Sequence, residues 1–78
     1  MVDFKQGELA RSLAGHDKDS VYVIIEAQKD SVSLCDGRIR TLDRPKIKNV
    51  KHIQIIHRQL DGEITDENIR HFLESYGG

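Results

Sequence analysis

Seventy-eight residues with a formal net charge of −1 make one small domain, and an apolar fraction of 37% with no Trp supports a single aliphatic core. A deep, roomy active site is excluded on volume alone. The lone Cys35 excludes an internal disulfide and a Cys-x-x-Cys pair, pointing to a reducing cytoplasm, and no leader or membrane-length apolar run is read, so neither export nor membrane insertion is expected.

The near-zero net charge hides a strong division along the chain. Residues 1–35 carry four Lys/Arg against six Asp/Glu, residues 36–58 seven against two, and residues 59–78 one against five. Positive charge is thus concentrated in one central segment, as expected of a basic surface that meets an anionic partner or, alternatively, pairs with the acidic C-terminal third.

In chain order, residues 1–6 read as frayed apart from Phe4, which is placed to cover one end of the core. Residues 8–13 form a first strand with two possible registers, burying either Leu9, Arg11 and Leu13 or Glu8, Ala10 and Ser12. The turn at 14–20 carries Gly15 at a position suited to positive φ, with His16, Asp17, Lys18 and Asp19 exposed at its tip. Val21 to Ala27 is β-branched almost throughout and should be the central strand. Residues 31–35 alternate apolar at Val32 and Leu34. Asp36-Gly37 then reads as a two-residue hairpin returning through a strand at 38–42.

Pro45 ends that strand, and the basic run 44–52 is expected to cross the surface, anchored by Ile47 and Val50. Residues 53–56 read as a final strand and 59–64 as a loop. Thr65 is a good N-cap, Asp66 and Glu67 suit the first turn of a helix, and Ile69, Phe72, Leu73 and Tyr76 recur at helical spacing before Gly77. The pattern predicts a mainly β protein, a small closed or half-closed barrel of about five strands over 5–58, covered by an amphipathic α-helix over 65–76.

Residues 7–24 resemble the KOW motif: a glycine, an alternating strand, a second glycine, a polar basic turn and a β-branched strand, fitted here by Gly7, Gly15, Lys18, Val21 and Val23. With the stretches 12–18, 36–40 and 46–54 in that order, residues 5–75 are similar to bacterial KOW-domain RNA-binding proteins akin to one class of archaeal and eukaryotic large-subunit ribosomal proteins. The resemblance implies a single KOW-type domain over 1–78, an SH3-like barrel, and RNA binding without catalysis, plausibly of ribosomal RNA. One departure is Asp19, where such motifs usually place a glycine. Asp tolerates the left-handed conformation better than most residues, while its charge argues against phosphate at that tip.

The basic segment reads consistently with this. Alternation puts Arg38 and Arg40 on one face, with Arg44, Lys46, Lys48 and Lys51 following and Lys18 and His16 at the periphery. Such a ladder suits a phosphate backbone, giving salt-dependent and weakly sequence-specific affinity. Tyr22 and His16 are the candidates for base stacking. The expected partners are RNA and, secondarily, ribosomal proteins, with no membrane and a monomer when free.

Other chemistries find little footing. His16, His52, His57 and His71 lack a dedicated ligand spacing, so no metal and no cofactor is expected. Cys35 sits in an apolar strand beside Asp36, which raises a thiol pKa and favours a core role over a nucleophile. Asp61, Glu63, Asp66 and Glu67 explain themselves as a loop and a helix start. No acid–base pair or phosphate-cradling glycine loop is visible, so no enzyme is expected. The alternative reading is a protein-interaction module docking on a ribosomal or transcription protein. A further possibility from the opposed charges is that the acidic helix masks the basic face.

Overall fold

The computed structural model describes residues 4–77. The strands are β1 (Glu8–Ser12), β2 (Val21–Ala27), β3 (Ser31–Cys35), β4 (Lys46–Asn49) and β5 (Ile53–Gln59); a single 3-10 turn, Val50–His52, joins β4 to β5, and one helix, α1 (Asp66–Gly77), follows. All neighbours are antiparallel, in the order β4-β3-β2-β1-β5. The β-branched β2 is therefore central, as its composition demands.

The two faces of this sheet bury different cores. Ala10, Tyr22, Ile24, Val32, Leu34 and Ile53 form one cluster, joined by Phe4, Val50 and Ile55. The two edge strands, β4 and β5, are joined by the three residues 50–52 alone, which requires the sheet to curl around this cluster. Leu9, Val23, Cys35, Leu60 and Ile69 form the second cluster on the outer face, where Phe72, Leu73 and Tyr76 of α1 close over it. The sheet is mainly β and five-stranded as expected, but it does not close: β4 and β5 remain its edges, so a barrel describes it only loosely.

Both registers proposed for the first strand find a burial partner. Leu9 lies under the helix, whereas Ala10 and Ser12 face the curled interior, each completely buried. Small residues suit the inside of a curled sheet, where strands approach one another closely. Leu13, past the strand end, is 43% exposed.

Thr65 caps α1: its Oγ1 accepts from the Asn68 N–H at 3.1 Å. Asp66 and Glu67 occupy the first turn, and Arg58 of β5 lies over the Tyr76 ring at 5.8 Å.

Three sequence expectations are corrected. Residues 38–42 form no strand; β3 pairs instead with β4, which lies inside the run expected to cross the surface. The reason is local. Asp36 Oδ1 accepts from the Arg38 and Arg40 N–H groups, and Arg40 O accepts from the Asp36 and Gly37 N–H groups, so the backbone closes on itself rather than extending. Ile47 is not an anchor but 60% exposed: it pairs with Ser33, on the face opposite to Val32 and Leu34, and on the edge strand it extends past the cover that keeps Ser33 buried. Finally, Lys5 and Gln6 are held rather than frayed. Glu8 accepts from the Lys5 N–H at 3.0 Å, and Gln59 Nε2 donates to Gln6 O at the same distance. The fraying expected of residues 1–3 lies outside the described residues.

Candidate nucleic-acid interface

The strongest polar cluster is built where the β1–β2 turn folds over the mouth of the curled sheet. Asp17, expected at an exposed tip, has a side chain only 13% exposed. It accepts from Ser12 Oγ and Tyr22 OH, each at 2.9 Å, and from Lys48 Nζ at 2.9 Å, with Lys46 Nζ at 3.3 Å. Lys48 Nζ also donates to Ala14 O at 2.9 Å. The turn conformation permits this: Asp19 takes the left-handed region at φ +74, the non-glycine position expected to tolerate it. Burial would raise the Asp17 carboxyl, but the hydrogen bonds from Lys48, Ser12, Tyr22 and Lys46 outweigh it and hold the group well below the usual carboxylate range.

The consequence for the basic ladder is direct. Lys46 and Lys48 pair with Leu34 and Val32, so they sit on the inner face, and both are spent on Asp17. Arg38 and Arg40 lie on the closed turn after β3, not in line with them. Arg38 meets Glu74 of α1 in an ion pair between side chains 62% and 51% exposed. That is the only such link from the acidic helix to the basic segment among the described residues.

What remains is a smaller set. Lys18, Arg40, Arg44 and Lys51 form no ion pair among the described residues, and Lys18, Arg44, Lys51 and His16 are exposed. The Leu13 N–H donates to His52 O at 2.8 Å, joining the segment that carries Lys51 to the turn that carries His16 and Lys18. Tyr22 is no stacking platform. It is 6% exposed, and its hydroxyl is pushed up to about 12 by burial and then by its bond to Asp17.

Cys35 is completely buried, its thiol pushed up to about 11 by burial and then by Asp66 and Asp36. No group of three or more His, Cys, Asp or Glu among the described residues is arranged to hold a metal ion. A shallow groove beside α1, lined by Gln59, Leu60, Asp61, Asn68, His71 and Phe72, draws no wall from the basic segment. Among the described residues, no helix is long and apolar enough to cross a membrane.

Sequence reasoning missed the Asp17 hub because its partners come from β1, β2 and β4, and no local pattern announces that convergence. It also missed the exposure of Ile39, at 80%. The signal available for the latter was Asp36, whose side chain is of the type that caps its own turn. No protein-family model matches the chain, and no curated protein matches it.

Proposed function

We propose that the protein is a non-catalytic RNA-binding module of the KOW type, working in the cytoplasm as a monomer on ribosomal RNA or a ribosome-associated RNA. The observation that carries this reading is the distribution of cations. After Asp17 and Glu74 have taken their partners and Arg58 has packed over the Tyr76 ring, the central segment still presents Arg40, Arg44 and Lys51, with Lys18 and His16 on the adjoining turn. Guanidinium and ammonium groups without internal counter-charges are best satisfied by phosphate, and release of condensed counterions supplies the affinity.

The informative substitutions follow from the geometry. Lys48→Glu would set a second carboxylate against Asp17 and damage the fold, so loss of binding there carries no information about RNA. Arg40→Gln, Arg44→Gln and Lys51→Gln remove charge without touching that cluster. The triple variant is expected to keep its thermal stability and to lose most of its affinity for ribosomal RNA in a salt series.

Ile47, 60% exposed on the edge strand β4, supports a second reading, a protein-docking module whose partner is a ribosomal protein. That reading requires Ile47→Asp to abolish capture of the partner while RNA affinity stays where it was.

A further inference from the structure

The turn at 36–40 is a preorganised structure with an apolar tip. Its four backbone hydrogen bonds run between 2.8 and 3.2 Å: two into the Asp36 carboxylate and two into the Arg40 carbonyl. The turn is seated as firmly from below. Cys35 Sγ donates to Thr41 O at 3.3 Å, the Leu42 N–H donates to Asp66 Oδ1 at 2.8 Å, and Gly37 presses on the first turn of α1. Ile39 stands on this mount 80% exposed, between Arg38 and Arg40.

A flexible loop would fold such an isoleucine inward; this one is held out. An isoleucine gains nothing from phosphate, whereas a guanidinium gains little from an apolar surface. A ligand that satisfies all three side chains therefore offers an apolar face with anionic groups on either side of it. An unstacked nucleobase flanked by its own phosphates has that chemistry, and a fully paired A-form helix, whose bases are covered, does not.

We propose that Ile39 is the base-contacting residue of the module, seated against an unpaired nucleobase while Arg40 and Arg38 engage the flanking phosphates. This deepens the RNA-binding reading and rests on it. It places a base contact at the 36–40 turn where the burial of Tyr22 removes one from β2, with His16 still exposed on the β1–β2 turn, and it gives the preferred ligand as RNA with a bulge or loop rather than continuous duplex. Glu74, paired with Arg38, holds that guanidinium beside the tip until a phosphate displaces it.

The test compares two RNAs of equal phosphate count, a hairpin with a single-base bulge and a fully paired duplex, against four proteins. The wild type should prefer the bulged RNA. Ile39→Ser should lose about tenfold on the bulged RNA, with the salt slope unchanged and the duplex barely affected. Ile39→Phe should gain on the bulged RNA alone, because a ring stacks better than a branched alkyl group. Arg40→Gln should weaken both and flatten the slope by about 0.7. Unfolding temperatures of the Ile39 variants should match the wild type, since the side chain is exposed.

Equal affinity of the wild type for the two RNAs, or an Ile39→Ser variant that binds both as the wild type does, overturns the inference and leaves the RNA reading standing. The second result would hand the apolar tip to a protein pocket. Absence of binding to either RNA at low salt removes both the inference and the reading beneath it.

Discussion

Asp17 shows how one side chain reassigns several others. Taken along the chain, it is one of four polar residues at the tip of a turn; in space it is the acceptor for two hydroxyls and two ammonium groups. Lys46 and Lys48 thereby change from candidate ligands for phosphate into a clasp. They tie β4 to the β1–β2 turn where no backbone ladder joins them. The pH dependence follows. The folded carboxyl lies below its ordinary 3.8, so in the window below that value the unfolded chain binds more protons and stability falls as pH falls. Urea titrations from pH 6 down to pH 2 should show the wild type losing stability below about pH 4. Asp17→Asn should start about 2 kcal/mol less stable at pH 6, with a flatter fall over the same window. Parallel curves would dissociate Asp17 from the acid sensitivity.

At the scale of elements, the helix and the β3–β4 connection differ in where their instructions lie. α1 was legible because its signals are local: Thr65 at the cap, acids in the first turn, apolar residues at spacings of three and four. Thr65→Ala removes the acceptor for the Asn68 N–H and should lower stability by about 1 kcal/mol in equilibrium unfolding. The connection misled because Asp36-Gly37 followed by alternating Arg38-Ile39-Arg40 fits a hairpin equally well on paper. Two facts decide against it, one inside that window and one outside: the Asp36 side chain closes the turn, and α1 lies against Gly37. A Cβ on Gly37 would stand 2.3 Å from Asp66 O and 2.9 Å from Arg70 N, at φ +77. Backbone cannot move aside as a flexible side chain does, so Gly37→Ala should cost about 3 kcal/mol, several times the effect of an alanine at an unconstrained loop glycine. Calorimetry on that variant beside Gly62→Ala, whose Cβ would meet nothing within 4 Å at a similarly positive φ, separates the close approach from the conformational cost.

The whole molecule is organised by two cores on one curled sheet and by a charge pattern laid over them. The mainly β class, the central β2 and the covering helix followed from apolar periodicity, which acts over a few residues. The openness of the sheet did not, because it depends on which edges meet. The candidate interface divides in the same way. The concentration of cations in residues 36–58 was visible in composition, whereas which of them are neutralised depends on Asp17 and Glu74, distant in the chain. Four cations unpaired in the free protein, Lys18, Arg40, Arg44 and Lys51, carry the proposed contact with phosphate, and Arg38 joins them only at a bulged site where a phosphate displaces Glu74. The most direct measurement is the affinity for ribosomal RNA across a salt series, for the wild type and for the Arg40→Gln/Arg44→Gln/Lys51→Gln variant. The account predicts a slope of about −3 in log K against log salt for the wild type, falling to about −1 in the variant with its fold intact. Equal slopes and equal affinities in the two proteins, or no binding at low salt, would contradict it.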